Sequence, residues 1–277
     1  MNKYMEHLSE LLSEGLEKYS CSEQYKNLLS VMSKFHSYSA NNCLLIALQC
    51  PEASYIAGYN KWRSDFHRQV KKGAKAIQIK APMTYKDKET DEERLGFKAT
   101  YVFNVDDTYQ IPSKPVVPLG IDELEGTVKD FKELISCLTS SSPVPVEFKN
   151  FKKSAYGYYS KSEGKIVVKD NLSELQTTKT LIHELAHSLL HSDDAEKKSR
   201  EVKELEAESV AFVVCKYLSL DTDDYSFPYI LSWSGDEFKE ILKESLSEIQ
   251  KIADKIIQDY VTPESVKFVL FYNQLLK

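Results

Sequence analysis

The sequence predicts an α+β protein in two domains, and three observations support this. Apolar residues recur at helical spacing over residues 1–35 and again over 201–217. Runs rich in β-branched residues, such as 76–81 and 164–170, lie between these helical segments and are typical of strands. Three prolines and a glycine within 112–121 indicate an extended connector.

The connector divides the chain into two regions. We predict an N-terminal α+β domain over residues 1–111, a proline-rich linker over 112–121 and a second domain over 122–277. A chain of 277 residues is long enough for two modest domains that each bury a core.

The N-terminal region begins with two predicted helices that are separated by a break near Ser20. A short apolar helix follows, which starts at Asn41 or a nearby serine and ends before Pro51. The strand at 76–81 is followed by a second strand at 97–105. The segment 83–94 is dense in charge, and we predict that it is a solvated hairpin tip or loop.

The second region has the pattern of a small sheet enclosed by helices. A helix is predicted over 123–138, followed by strands over 143–148, 154–159 and 164–170. The chain near its end carries a long amphipathic pattern over 236–260 that predicts a further helix.

Composition excludes several classes of protein. The five cysteines are scattered and contain no C-x-x-C pair, which is typical of reduced thiols and not of a disulfide framework or zinc ribbon. The N-terminus is polar and lacks the apolar run of a signal peptide. No stretch is long and apolar enough to span a bilayer, so we predict a cytoplasmic protein without membrane contact.

The most informative motif is H-E-x-x-H, formed by His183, Glu184 and His187. On a helix the two histidines project from one face, so both can reach a single Zn²⁺ while Glu184 lies beside the metal-activated water as a general base. Ser173 with Gln176 three residues later predicts a capping box that begins this helix.

The strand at 164–170 comes just before the metal helix. Zincin-type peptidases carry an edge strand next to the metal helix, along which an extended substrate pairs through main-chain hydrogen bonds. We therefore predict that 164–170 is this edge strand.

A third metal ligand is predicted on the next helix, over residues 201–217. Glu204, Ala207, Glu208 and Ala211 lie on one stripe, and the small alanines allow close packing against the metal helix. We assign Glu204 as the third Zn²⁺ ligand and Glu208 as the carboxylate that accepts a ring N–H from a ligand histidine. The reverse assignment stays open.

Four neighbouring polar residues are left out of the metal site. Glu206 points to another side of its helix and is predicted to face solvent. His191 lies one turn beyond the motif, too far along the axis, and is predicted to be a C-terminal histidine stabilised by the helix dipole. Tyr225 or Tyr229 is a candidate hydrogen-bond donor to a developing oxyanion, although packing on the last helix is the favoured interpretation.

The N-terminal region has an uneven distribution of charge. Between residues 61 and 80, seven cations face only Asp65, and Tyr59, Trp62 and Phe66 are interleaved with them. Cations beside aromatic rings suit a surface for single-stranded nucleic acid, whereas a solvated basic face with core aromatics explains the same composition. The cations are Lys61, Arg63, Arg68, Lys71, Lys72, Lys75 and Lys80.

Motifs in both halves resemble those of the ArdC-type antirestriction proteins. The N-terminal domain of that family is resembled by YSANNCLLIALQ (38–49), AGYNKW (57–62), RQVKKG (68–73) and YVFNV (101–105). The zincin metallopeptidase domain that follows it is resembled by TLIHELAH (180–187) and ELEAE (204–208). Both halves in this order are more specific than H-E-x-x-H alone.

The resemblance implies a single-stranded-DNA-binding domain followed by a zincin-like, gluzincin-type metallopeptidase domain, in an antirestriction protein of a mobile element. It implies partners of two kinds, single-stranded DNA and a peptide or protein substrate that the sequence does not identify. The residues to which it assigns the DNA-facing role are Tyr38, Asn41, Asn42, Trp62, Arg68, Gln69, Lys72 and Lys75.

Two alternatives stay open. In the first, the protein shields single-stranded DNA without proteolysis, and its metal domain is structural. In the second, it is a regulatory protease that cleaves a repressor, in the manner of the related ImmA and IrrE-like peptidases.

Overall fold

The predicted α+β fold class is confirmed by the computed structural model. The residues that it describes are 3–19, 22–86, 92–117, 119, 131–151, 155–192, 198–220, 227 and 235–260. The helices are α1 (Lys3–Lys18), α2 (Ser22–Lys34), α3 (Ala40–Gln49), α4 (Tyr59–Ser64), α5 (Phe131–Ser140), α6 (Glu174–Leu190), α7 (Arg200–Tyr217) and α8 (Gly235–Tyr260). The strands are β1 (Ile56–Gly58), β2 (Arg68–Val70), β3 (Ile77–Lys86), β4 (Glu93–Asn104), β5 (Thr108–Gln110), β6 (Val146–Phe148), β7 (Gly157–Ser160) and β8 (Lys165–Val168).

The N-terminal half contains an antiparallel sheet of order β1-β4-β3 and a two-stranded sheet of β2 and β5. In the hairpin of β3 and β4, Ile77 pairs with Val102 at the base and Lys86 with Glu93 near the tip. The segment 83–94 thus belongs to the exposed outer end of a hairpin, as one of the two predicted alternatives has it, although 83–86 and 93–94 are strand and not loop. Charged side chains do not interrupt the pairing, because each residue keeps a cross-strand backbone partner while its side chain is solvated.

The free edge of β3 is covered by side-chain amides from α3. Asn42 donates to the carbonyl of Lys80 and accepts from its N–H, each at 2.9 Å. Gln49 makes the same pair of bonds to Gln78, also at 2.9 Å. The amides satisfy backbone groups that an edge strand leaves open. The N-cap of α3 is Ser39, within the predicted range of starting residues.

The sheet of the second half has the order β6-β8-β7, with β8 parallel to β6 and antiparallel to β7. The prediction that the strand over 164–170 is an edge strand is therefore wrong. Ile166, Val167 and Val168 are all fully buried, which is typical of a strand with neighbours on both sides. The edge strand that contacts α6 is β7.

A continuous hydrophobic core joins the N-terminal helices to the helices of the second half. The hydroxyl of Tyr25 on α2 is 2.8 Å from that of Ser209 on α7, and the Tyr25 ring packs edge-on against Phe238 on α8. His36 Nδ1 lies 2.7 Å from Asp254 Oδ1 on α8.

The predicted domain boundary at 112–121 stays a prediction. Within the described residues, no helix is long and apolar enough to cross a membrane.

Candidate metal centre

Helix α6 carries the H-E-x-x-H motif between two defined ends. Its N-cap is Ser173, whose hydroxyl accepts from the N–H of Gln176 at 3.2 Å. The side chain of Gln176 donates to the Thr180 hydroxyl at 3.1 Å. The described hydrogen bonds therefore show the serine half of the predicted capping box. The helix ends at Leu190, and His191 is its C-cap residue.

The two motif histidines converge with a carboxylate from α7. The Nε2 atoms of His183 and His187 lie 3.0 Å apart, and Glu204 Oε2 is 3.5 Å from each of them. One donor atom from each of the three residues lies within 4.8 Å of the others. Two imidazole nitrogens and one carboxylate oxygen form the donor set of a hydrolytic Zn²⁺ site, which keeps a fourth position open.

Glu208 lies on the other side of the His183 ring. Its Oε2 is 3.1 Å from His183 Nδ1, so Nδ1–H donates to the carboxylate and the Nε2 lone pair is left toward Glu204 and His187. This geometry favours Glu204 as the metal-facing carboxylate and Glu208 as the residue that orients the ring.

His187 is oriented by a buried chain of polar groups. His187 Nδ1 is 3.0 Å from His191 Nδ1, and His191 Nε2 is 2.9 Å from Glu206 Oε2. Glu206 is fully buried, and its Oε1 accepts from Lys198 at 2.9 Å and Ser245 at 2.6 Å. Because Glu206 accepts from His191, the proton of His191 lies on Nε2, and its Nδ1 accepts from His187.

One prediction needs correction here. Glu206 does not face solvent, because α7 packs between α6 and α8 and places this carboxylate among three donors. His191 is the C-terminal residue of its helix, as predicted, but its ring is buried and bonded on both nitrogens. Burial acts to raise the pKa of Glu206, yet the bonds from His191, Ser245 and Lys198 outweigh it and lower this pKa, so the carboxylate stays ionised.

The electrostatics of the centre favour a bound cation. Hydrogen bonds from His183 and His187 hold the pKa of Glu204 far below its usual range. Burial acts to lower the pKa of His183, but the bonds to Glu204 and Glu208 and the charge of Glu184 outweigh it and raise this pKa to about 10. Burial lowers the pKa of His187. The carboxylates thus favour a positive charge between the histidines, which a proton on His183 supplies in the absence of a metal and a divalent ion can supply in its place.

Glu184 lies at the base of the centre, against β7. Burial raises its pKa to about 7, while the charge of His183 and the backbone of Tyr159 act in the opposite direction. Close contact between α6 and β7 depends on Gly157. A Cβ atom at Gly157 would lie 2.6 Å from Thr180 Cγ2 and 3.3 Å from Glu184 Cγ.

A cleft of about 980 Å³ opens over the metal centre. One wall is formed by β7 and the residues before it, and the other by α6 and the first turns of α7. Tyr225 and Tyr229, the candidate oxyanion donors, lie outside the described residues.

Two family models match the chain. The N-terminal domain of anti-restriction factor ArdC matches residues 1–110, and the IrrE N-terminal-like domain of the M78 peptidase family matches residues 140–223. The chain therefore combines an ArdC-type N-terminal domain with an IrrE-like domain of the M78 type. This agrees with the resemblance found in the sequence motifs.

One curated protein is similar over most of the chain. An uncharacterized Bacillus anthracis protein, pXO2-81, is 25% identical over an alignment of 304 positions. The alignment covers 91% of this chain and 50% of that protein. The chain thus spans about half the length of this curated relative.

Crystal structures of the antirestriction ArdC protein from plasmid R388 share the fold. The metal-free structure is 21% identical with a TM-score of 0.54, covering 81% of this chain and 85% of its own. The Mn(II)-bound structure is 20% identical with a TM-score of 0.54, covering 82% and 86% respectively.

Two of the predicted DNA-facing residues are buried in the N-terminal domain. Trp62 is fully buried, in a small core with Phe66, and its indole N–H donates to the carbonyl of Phe103 at 2.9 Å. Asn42 is 8% exposed, and both ends of its amide bond to Lys80 on β3. Both side chains use their polar groups in bonds within the domain. Composition could not indicate this, because it does not distinguish a core residue from a surface residue.

The other predicted DNA-facing residues lie at the surface to different degrees. Asn41, Lys72 and Lys75 are exposed. Tyr38 is partly buried and packs edge-on against Phe35, with ring centroids 6.0 Å apart. Arg68 is partly buried and donates to the hydroxyl of Thr108 at 2.6 Å and to its carbonyl at 3.4 Å.

The two-stranded sheet of β2 and β5 brings Tyr109, which the sequence analysis missed, next to two residues that it named, Tyr59 and Gln69. Gln69 pairs with Tyr109 across the strands and donates to the hydroxyl of Tyr59 at 2.8 Å. Tyr59 is 45% exposed and Tyr109 is 50% exposed. We call Tyr59, Gln69 and Tyr109 the tyrosine surface. The sequence held no local signal for an exposed Tyr109, because a tyrosine between two polar residues in a strand predicts an inward-facing ring, whereas here Thr108 is the buried residue.

Proposed function

We propose that the protein is a zinc-dependent metallopeptidase of the zincin type. Zn²⁺ is held by His183, His187 and Glu204, with Glu208 orienting His183. The observation that carries this proposal is the convergence of two imidazole Nε2 atoms and one carboxylate oxygen beside the buried Glu184. The match to the M78 peptidase family over residues 140–223 supports it.

The chemistry divides between the ion and the residues of the chain. A divalent ion in this donor set supplies a Lewis acid that activates water and polarises a carbonyl. Glu184 accepts a proton from the attacking water and then donates it to the leaving amine, so its net charge is restored after each cycle. Burial of Glu184 acts to raise its pKa and so favours a carboxylate that can hold the transferred proton before passing it on.

The first test combines metal analysis with single substitutions. The purified full-length protein should contain close to one Zn²⁺ per chain, and His183→Ala should lose it. The matched control is His7→Ala, because His7 is an exposed histidine on α1. Absence of a stoichiometric divalent metal from the wild-type protein, after expression in zinc-supplemented medium, would overturn the enzymatic proposal.

The second test separates catalysis from metal binding. Glu184→Gln should keep its zinc and lose ~10²–10⁴-fold or more of peptide hydrolysis, since it removes a general base and leaves the metal donors in place. Hydrolysis that is unchanged in this variant would contradict the role of Glu184.

A second function, single-stranded DNA binding, is favoured by the tyrosine surface. Two half-exposed rings flank the Gln69 amide, and the exposed Lys72 and Lys75 follow on the same segment of chain. Rings of this kind stack unpaired bases, and the lysines neutralise phosphates. The match of residues 1–110 to the ArdC N-terminal domain supports this function.

The test of DNA binding uses the full chain and a labelled single-stranded oligonucleotide. Affinity should fall as salt rises, and Lys72→Glu with Lys75→Glu should weaken binding and flatten the salt dependence. The control is Lys243→Glu with Lys251→Glu, which reverses two charges on α8 whose side chains are 64% and 72% exposed. Equal effects of both pairs would argue against a surface on the N-terminal domain.

We further propose that these two functions serve antirestriction in the cytoplasm, as part of a mobile element. The similar R388 protein is described as an antirestriction protein, and the N-terminal family carries the same description. Protection of DNA by a Glu184→Gln variant would favour shielding without proteolysis. Loss of protection together with a stable, uncleaved cellular protein would favour the regulatory-protease alternative.

A further inference from the structure

The charged residues around the metal cleft are separated by sign. Among the described residues that line the cleft, the three carboxylates all belong to the metal centre: Glu184, Glu204 and Glu208. The same part of the lining also carries four cationic residues: Lys179, Lys198, Arg200 and Lys203. The whole chain has a net charge of −6, so this concentration of cations is a local feature of the cleft.

The cations lie on both sides of the metal centre along the cleft. Helices α6 and α7 are antiparallel there, since His183 contacts Glu208 whereas the later His187 contacts the earlier Glu204. The start of α6 therefore lies near the later turns of α7, and the end of α6 lies near the start of α7.

Two of the cations occupy equivalent positions on these antiparallel helices. Lys179 is one turn before His183 on α6, and Arg200 is one turn before Glu204 on α7. Because residues four apart share a helix face, both side chains lie on the face that forms the cleft. The antiparallel arrangement places them at opposite ends of the metal centre, with Lys203 on the Arg200 side.

Arg200 and Lys203 occupy the first turns of α7, where positive charge is locally unfavourable. The N-terminus of a helix carries partial positive charge, so cations there reduce helix stability. Lys198 differs, because it pairs with the buried Glu206. Arg200 is exposed and Lys203 is partly exposed. These two charges do not stabilise the helix that carries them, but they can attract an anion that binds in the cleft.

The opposite wall indicates what kind of anion fits. Strand β7 is at the edge of its sheet, and Tyr158 and Tyr159 on it line the cleft together with the half-exposed Tyr156 before it. An exposed strand edge offers backbone N–H and C=O groups to an extended polypeptide, whereas a phosphodiester backbone cannot continue a β-ladder.

We propose that the cleft binds an acidic polypeptide segment. The segment extends along β7, with its carboxylate side chains facing Arg200 and Lys203 at one end of the metal centre. This inference rests on the proposed peptidase function, for which it names the substrate class.

The experiment measures binding separately from cleavage. The probe is a short fluorescein-labelled peptide with glutamates on both sides of a central Leu-Phe pair, compared with a peptide in which each glutamate is glutamine. Binding is measured by anisotropy on zinc-loaded Glu184→Gln protein, which does not consume the probe. The glutamate peptide should bind ~10-fold more tightly at low salt, a preference equal to two or three modest charge pairs.

Charge reversal locates the preference. Arg200→Glu with Lys203→Glu should abolish the ~10-fold preference for the glutamate peptide. Lys216→Glu should leave it unchanged, because Lys216 is exposed on the last turn of the same helix and does not line the cleft. Unfolding midpoints of all variants are compared, so that a folding defect is recognised.

The outcomes separate this inference from the proposed function. Equal binding of the two peptides, or no binding of either, overturns the inference whether or not the wild-type protein cleaves peptides. Preferential binding without any cleavage by wild-type protein supports the acidic ligand and counts against the peptidase. If a single-stranded oligonucleotide displaces the peptide and its binding is lost in Arg200→Glu with Lys203→Glu alone, the cleft is a nucleic-acid site and the inference is overturned.

Discussion

The metal centre and the tyrosine surface differ in how their residues are held in place. At the metal centre, three donors from two packed helices converge, and each histidine ring is fixed by a further hydrogen bond from its Nδ1 atom. At the tyrosine surface, half-exposed rings lie on a two-stranded sheet, with a single described bond between the Gln69 and Tyr59 side chains.

The difference shows what each kind of sequence signal can predict. The histidine spacing is a geometric signal, because a helix places residues four apart on the same face. Basic and aromatic composition is not geometric, because the same residues suit either a core or a surface. Trp62 and Tyr59 illustrate this, since they are three residues apart on one short helix, yet Trp62 is buried and Tyr59 is exposed.

The largest expected effect distinguishes the two carboxylates of α7. Glu204→Ala removes one of three protein donors, so we expect the metal to be lost on dialysis. Glu208→Ala removes only the partner of His183 Nδ1 and should weaken metal affinity ~10–100-fold. Competition with a zinc-sensitive dye measures both. The reverse ranking of the two variants would exchange the assigned roles.

The polar chain behind His187 provides the next test of the metal centre. His191→Phe should weaken metal affinity ~10–100-fold, because His187 loses the acceptor that fixes its ring. His191→Gln should recover part of the affinity, since an amide can accept from His187 and donate to Glu206. The absorption spectrum of the Co²⁺-loaded protein reports the ligand geometry independently of stability. Identical spectra and affinities in all three proteins would contradict the positioning role.

The tyrosine surface is tested by comparing an exposed ring with a buried one. Tyr109→Ala should weaken single-stranded DNA binding by ~1–3 kcal/mol, the contribution of stacking one base. Trp62→Phe should leave DNA affinity within ~2-fold while lowering the urea midpoint, because it loses an internal hydrogen bond and creates a cavity. A Trp62→Phe variant with normal stability and weak DNA binding would restore Trp62 to the DNA surface.

The contact between β7 and α6 predicts a smaller effect, on stability. Gly157→Ala should destabilise the protein by ~1–3 kcal/mol, because the new methyl group overlaps Thr180 Cγ2. Adding Thr180→Ser removes that methyl and should recover part of the loss in urea unfolding. Gly58→Ala is the control, since its Cβ would meet nothing within 4 Å. Equal stability of Gly157→Ala and wild type would show that the strand can move away from the metal helix.

The smallest expected effect concerns pH and Tyr38. Burial raises the pKa of Tyr38 to about 12 from an unfolded value of 10.0, with the Cys43 thiol adding to the shift. The fold therefore favours the neutral phenol, and this stabilisation is complete below pH about 10 and lost as the pH rises toward 12. Tyr38→Phe should reduce that alkaline loss by on the order of 1 kcal/mol, since the ring is partly exposed. Unfolding curves of both proteins between pH 9 and 12 measure it, and a steeper loss in Tyr38→Phe would contradict the assignment.

Several features of the fold were predictable because their signals are local. Helical periodicity indicated α1, α2, α7 and α8, and Ser173 indicated the start of α6. The stripe of Glu204, Ala207, Glu208 and Ala211 indicated that α7 packs closely on α6. These patterns hold in the folded protein because the geometry of a helix determines which of its side chains share a face.

Tertiary structure alone decided the features that depend on which elements become neighbours. The three valine and isoleucine side chains of β8 predict a strand, but only the pairing with β6 and β7 makes it central. The residues around Glu206 in the sequence are typical of an exposed helix face. Its burial depends on Ser245, which is distant along the chain, and on Lys198, which lies before the helix begins. The sequence alone determined the metal-binding face of α6, whereas the packing of α7 and α8 decided which polar groups orient His187. The physical reason is that side-chain spacing is local, while burial and hydrogen-bond partners depend on contacts between distant segments.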